Sequence, residues 1–154
     1  MAATAVPPDP GPVDRSEARQ LGLILLAALA VRALALLVLD EPLYSDSAAY
    51  MEMARTAIEG SVMRDIYGNA ALYSPGYPLL LSVAFRLFGI DPAVARGVNL
   101  LLGLLTVTLT WAVARRATGR PLVGLVAAAG MALLIPAVAA TELLERENLS
   151  VPLL

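Results

Sequence analysis

A chain of 154 residues with 58% hydrophobic side chains and a mean hydropathy of +0.73 has the profile of an integral membrane protein, because its apolar residues come in long blocks. Neither Cys nor His occurs, which excludes disulfides, thiolate nucleophiles, imidazole bases and the usual zinc ligand sets. The 13 acids and 11 bases leave a net charge of −2, every base is Arg, and without a basic run interleaved with aromatics nucleic-acid binding has no support.

Residues 1–20 hold Pro7, Pro8, Pro10 and Pro12 among several charges, too little apolar content to fold, and read as a disordered cytoplasmic tail. Residues 21–39 then supply an apolar run close to the ~20 residues that span a bilayer, interrupted by one charge, Arg32. The tail is long and mixed in charge and no small-residue cleavage site follows, so the run reads as an uncleaved signal anchor. Intramembrane charge is costly and usually paired, which leaves Arg32 in need of a partner.

A loop follows, residues 40–76, with Asp40, Glu41, Asp46, Glu52, Glu59 and Asp65 against Arg55 and Arg64. With Arg15 and Arg19 in the tail, this asymmetry predicts the N-terminus inside and the loop outside. Within it, residues 45–60 predict a short surface helix: Ala49, Tyr50, Met53 and Ala57 form an apolar stripe, Glu52, Arg55 and Glu59 face away, and Gly60 closes it. Asp46 lies in its first turn, on the same face as Tyr50 four residues on. Two roles are open to this Asp. It can cap the helix, as Ser45 can too, or it can be the carboxylate of a reaction site at the membrane surface.

Three further apolar segments come next. Residues 77–90, interrupted by Arg86, are short enough to be interfacial, re-entrant or a tilted span. Residues 98–114 and 122–140 are spanning candidates, the latter with a kink near Pro136. If 77–90 crosses, the cluster Arg115, Arg116 and Arg120 falls outside, against the positive-inside rule; if it does not, the cluster is inside. "ENLSVPLL" then begins another apolar run that stops at its first turns, which predicts a chain that continues past Leu154. The expected fold is an all-α integral membrane, multi-span helical bundle, residues 21–154 forming the N-terminal, incomplete part of a transmembrane domain in the plasma or inner membrane.

The order "SDSAAYMEMARTAIEG", "YSPGYPLLLSVAFRLFG", "VARGVNLLLGLL", "ARRATGR" and "TELLERENLSVPLL", behind a greasy helix, resembles the start of the polyprenyl-phosphate-sugar glycosyltransferases of the GT-C type, in the bacterial branch similar to protein O-mannosyltransferases and lipid A aminoarabinose transferases. The resemblance covers most of residues 21–154. Asp46, Tyr50, Ala54 and Gly60 fall on the family's first-loop pattern, Pro75, Tyr77 and Pro78 on its Pro-rich helix start, Arg96 and Asn99 on its R-x-x-N, and Glu147 on an acid that opens the fifth helix. Ser47 stands where many members have Glu, and the Lys some members carry near "SPGYP" is absent.

The resemblance implies transfer of a sugar, with inversion, from a polyprenyl-phosphate donor to an external cell-envelope acceptor. It implies Asp46 as catalytic base, Tyr50, Tyr77, Arg96 and Glu147 as substrate-binding residues, membrane lipid as surroundings, and neither metal ligand nor cofactor in this part of the chain. It also implies that residues 1–154 alone are inactive. Each match has a structural counterpart: Pro75 and Pro78 can simply set a helix angle, Arg86 and Arg96 can snorkel at an interface, and Glu142, Glu145 and Glu147 can be a solvated loop. The alternative function is a non-catalytic membrane module, either a transporter fragment with Asp46 as its ion site or an inactive relic. A transporter predicts inverted repeats or paired broken helices, and the sequence shows none.

Overall fold

The computed structural model describes residues 11–39, 45–70 and 73–153. Among them regular structure is helical, and Arg64 and Ala70 form an isolated antiparallel bridge rather than a strand. Two helices are long and apolar enough to cross a bilayer by length and composition, α1 (Arg15–Val38) and α4 (Pro92–Thr118). Between them lie α2 (Asp46–Ile58) and α3 (Gly76–Phe88), and after them α5 (Pro121–Leu133), α6 (Ile135–Ala139), α7 (Glu147–Ser150) and a 3₁₀ turn, Val151–Leu153.

Helix α1 begins at Arg15, so residues 15–20 are helical rather than disordered; residues 1–10 lie outside the described chain. Asp14 caps the start, its Oδ1 accepting from Glu17 N at 2.7 Å. Glu17 is only 4% exposed and receives Arg115 Nε at 2.7 Å and Trp111 Nε1 at 3.2 Å. Arg115 also donates to Gly11 O at 2.9 Å. A buried ion pair with satisfied hydrogen bonds thus ties the first turn of α1 to the last turn of α4.

That contact fixes direction. With Glu17 against Arg115 at one end and Arg32 against Gly103 further along, α1 and α4 run antiparallel, and α2 and α3 lie between them at the opposite end. Helix α3 therefore does not traverse the bundle, and Arg115, Arg116 and Arg120 share an end with Arg15 and Arg19. At ~1.5 Å per residue its 13 residues reach only about 20 Å, short of a ~30 Å hydrocarbon core.

Helix α5 returns against α1 and α4 on a stripe of small residues, Gly124, Ala128 and Ala132, all buried. A Cβ on Gly124 would lie 2.9 Å from the Trp111 carbonyl oxygen, so the absent side chain is what lets the backbones approach. The expected single span over 122–140 is instead broken: α5 stops at Leu133, Leu134 is extended (φ −65°, ψ 108°), and α6 starts afresh. Pro136 has no N–H to offer the carbonyl of Ala132, four residues earlier. Arg32 Nη1 donates to that carbonyl at 3.0 Å, and Nη2 lies 3.5 Å from the Met131 carbonyl. The partner that Arg32 lacked in sequence is the broken end of α5.

Two cores follow from this arrangement. Ala28, Val107, Ala128 and Ala132 fill the bundle, while Tyr50, Met53, Tyr77, Leu81, Phe85, Ala95 and Leu144 join α2 and α3 to the start of α4. The outward faces of α1 and α4 stay apolar, with Leu26, Leu34, Leu37, Leu101 and Val113 all exposed.

Candidate functional site

The second core supports a cleft of about 470 Å³ lined by Asp46, Tyr50, Tyr73, Glu145, Arg146 and Glu147. Its floor is α2. The apolar stripe expected over 45–60 is buried at Ala49, Tyr50 and Met53, with Ala57 half-buried. Arg55 bridges Glu52 and Glu59 on the outer face, and its hydrogen bond holds the Glu52 carboxyl below the ordinary range.

Asp46 is exposed at the first turn of α2. Its side chain does not cap the helix, and Ser45, at the cap position, makes no side-chain cap bond either. Ser45 has a positive φ of 53°, a conformation that costs a non-glycine residue on the order of 1–3 kcal/mol. The strained turn lets Ser45 Oγ reach Asp46 Oδ1 at 3.2 Å, and the Tyr73 hydroxyl donates to the same oxygen at 3.1 Å. Oδ2 receives no hydrogen bond from any described residue. One oxygen is anchored, the other is without a hydrogen bond from a described residue, and Asp46 lines the cleft.

Tyr50 is the hinge of an aromatic trio, edge-on to Tyr73 at 5.3 Å and to Tyr77 at 5.4 Å. Burial raises the Tyr50 phenol pKa, with Glu147 and Asp46 adding to the rise and Arg146 opposing it. The hydrogen bond to Asp46 does the same for Tyr73. Both hydroxyls therefore stay protonated as donors.

The roof is residues 141–150, and three buried contacts hold it there. Leu144 N donates to Ser47 Oγ at 3.1 Å, Asn99 Nδ2 donates to the carbonyls of Thr141 and Leu143, and Arg96 pairs with Glu142 at 3.3 Å. Tyr77, 1% exposed, gives its hydroxyl to Asn99 Oδ1 at 2.6 Å. Of the five residues expected to meet substrate, the cleft brings together Asp46, Tyr50 and Glu147. Tyr77 and Arg96 are in the framework beneath the roof, so neither touches the cleft. Their spacing in "R-x-x-N" serves to present Asn99 and Arg96 to one segment, as (i, i+3) residues on one helical face.

Tyr73, Glu145 and Arg146 line the cleft without having been singled out as site residues, and Ser47 positions its roof. A glutamate at position 47 would have no room, since Ser47 is 6% exposed and bonded to Leu144.

Glu145 is raised above the ordinary carboxylate value by desolvation first, then by Glu147 and Asp46. A raised folded-state pKa means the fold binds this proton more tightly than the unfolded chain does. The associated stability is full below the ordinary value and lost as pH rises through the raised one. Glu145→Gln is therefore expected to melt above the wild-type protein at neutral pH and alongside it at about pH 4; equal melting at both would show that the charge on Glu145 costs the fold nothing.

Among the described residues no group of three or more acidic residues is arranged to hold a metal ion. What the cleft offers is an oriented carboxylate with one open oxygen, two phenolic donors and a surplus of acids over Arg146, a set that can accept hydrogen bonds from hydroxyl groups and take a proton from one. No family model, curated protein or solved structure matches the chain.

Proposed function

We propose that this chain is the N-terminal part of a membrane-embedded, inverting glycosyltransferase of the GT-C type, with the Asp46 cleft as its acceptor-activating site. The observation that carries the reading is the state of Asp46. It lies just beyond the end of the first long apolar helix and lines the cleft, tethered through Oδ1 by Tyr73 and Ser45, with Oδ2 left without a hydrogen bond from a described residue.

In this reading α1 and α4 cross the bilayer, α5 and α6 enter it as a broken helix, and α2 and α3 lie on its outer surface. Arg15, Arg19, Arg115, Arg116 and Arg120 gather at one end of the antiparallel pair, which the positive-inside rule assigns to the cytoplasm of a plasma or inner membrane. The loop 40–76 and the cleft are then external. The acceptor hydroxyl oxygen bonds to the anomeric carbon as the bond from that carbon to the phosphate oxygen breaks. The hydroxyl proton passes to Asp46 Oδ2, and the lipid phosphate leaves with the electron pair. Attack from the face opposite the phosphate inverts the anomeric centre. Tyr50 and Glu147 face the sugar hydroxyls, and Ser47, Asn99, Tyr77 and Arg96 hold the roof.

A transporter is the second reading, and one observation favours it: α5 and α6 form a discontinuous helix with a cation at the break. Transporters of that design pair such a break with a second one in the symmetry-related half, whereas α1 and α4 run uninterrupted. The deciding experiment offers membranes bearing the full-length protein a series of radiolabelled polyprenyl-phosphate hexoses and aminopentoses. Transfer of label to a water-side acceptor is expected. Label that stays on every donor, at the level of membranes lacking the protein, would defeat the reading.

A further inference from the structure

Arg32 is fully buried and carries a full positive charge with no carboxylate against it among the described residues. The Ala132 and Met131 carbonyls satisfy part of its fork, and Nε makes no hydrogen bond with a described residue. Carbonyl dipoles at a helix end amount to roughly half a negative charge, so the guanidinium remains cationic in an apolar setting. Beside it is a mostly apolar cavity of about 270 Å³, whose polar lining residues are Arg32, Thr106, Glu147 and Asn148.

This cavity is continuous in its lining with two others. Glu147 is shared with the Asp46 cleft. Thr106, Met131 and Val151 are shared with a groove of about 400 Å³ that runs down α4 along Thr106, Leu109, Thr110, Val113 and Ala114, positions that recur on one helical face. The sequence of environments is a polar cleft, a buried cation and an apolar trough. Glu147 keeps its own charge turned to Arg146, whose Nε donates to Oε1 at 3.0 Å.

We propose that the Arg32 cavity binds the oxyanion headgroup of a single-chain amphiphile, with the alkyl chain laid along the α4 groove. A guanidinium fork is suited to phosphate, and each methylene moved from water into such a groove contributes roughly 0.8 kcal/mol. The inference deepens the transfer reading, on which the identity of the natural lipid rests: there the headgroup is the donor's phosphate.

The test is binding alone, with no sugar present, so its outcome stands whichever way the transfer assay falls. Dodecyl phosphate is titrated by equilibrium dialysis against the full-length protein in maltoside micelles, beside dodecanol and inorganic phosphate. Saturable binding of dodecyl phosphate is expected, with the two comparison probes at least about tenfold weaker. Arg32→Gln removes the charge and is expected to lose at least as much affinity. Because that variant also unties α5, Ala137→Trp is the companion: it fills the cavity while leaving Arg32 and its carbonyls in place, and is expected to lose binding with a normal melt. Dodecanol bound as well as dodecyl phosphate, inorganic phosphate bound as well, or undiminished binding by Ala137→Trp would each overturn the proposal.

Discussion

Asp46→Asn in the full-length protein should insert and fold as the wild type does while sugar transfer falls about a hundred- to ten-thousandfold, the range that a positioned general base supplies. The Asn amide oxygen can still accept from Tyr73 and Ser45, so the tether at Oδ1 persists and the loss isolates the basic oxygen. A role confined to starting α2 predicts the opposite, because Asn serves a helix start about as well as Asp. Tyr73→Phe completes the pair. It removes the 3.1 Å bond but leaves the base, and a loss of around tenfold is expected from imperfect orientation. A readout without substrate accompanies both. The Tyr73 phenol is raised chiefly by its bond to Asp46, so ultraviolet titration of Asp46→Asn should show one tyrosine falling back toward about 10. Near-normal turnover by a folded Asp46→Asn protein would end the catalytic assignment.

The second large effect is on stability. Glu17→Ala is expected to destabilise the fold by about 3–5 kcal/mol, because it removes one partner of a buried, hydrogen-bonded ion pair. Arg115 and Glu17 have side chains only 10% and 5% exposed, with Nε and Oε1 at 2.7 Å, so solvent cannot replace the lost partner. Arg115 would keep its contact with the Trp111 ring, 5.7 Å to the centroid, and its bond to Gly11 O. Removing both charges, as Glu17→Met with Arg115→Leu, should recover most of the loss, since an apolar pair of similar volume often matches a buried ion pair. Thermal unfolding of Glu17→Met, Arg115→Leu and the double variant in micelles gives the cycle. Additive losses would mean that the pair does not couple the ends of α1 and α4. The exposed Arg55 bridge is the contrast, and Arg55→Ala should scarcely move the melt.

Local patterns were legible and distant partners were not. The surface helix expected over 45–60 is found at Asp46–Ile58, because its apolar stripe and closing glycine are contained in the segment itself. The register of Asp46 with Tyr50 followed for the same reason. The start of α1 was missed because Glu17 reads as a solvated charge until Arg115, 98 residues away, is beside it. Pro136 announced a kink in 122–140, but the complete break at Leu134 depends on Arg32 supplying the donor that proline lacks. In the cleft, Tyr73 comes from a loop without periodicity and Glu145 from a turn that looks solvated. Tyr77 and Arg96 were expected at the substrate from the resemblance, and the structure has them bonded to Asn99 and Glu142, contacts that a sequence pattern does not reveal. The short apolar run 77–90 left its path ambiguous, and the antiparallel contact of α1 with α4 puts α3 at one end of the bundle.

The bond between Arg32 and the broken end of α5 also has a consequence for biogenesis. Arg32 emerges from the ribosome 100 residues before Ala132, so on the proposed reading α1 enters the membrane with its guanidinium offered only the Ala28 carbonyl, 3.4 Å from Nη1, water and lipid. An arginine at mid-helix costs about 2.5–3.5 kcal/mol during insertion, a penalty the rest of α1, with its long apolar run, can outweigh. Helix α5 has the complementary defect, since it arrives with carbonyls that its own chain cannot satisfy. On that reading each segment is a poor resident of the bilayer until it meets the other, which makes their late pairing a checkpoint in assembly. A nascent chain stopped before Pro136 should leave α1 in a state that quality-control proteases recognise as unfinished.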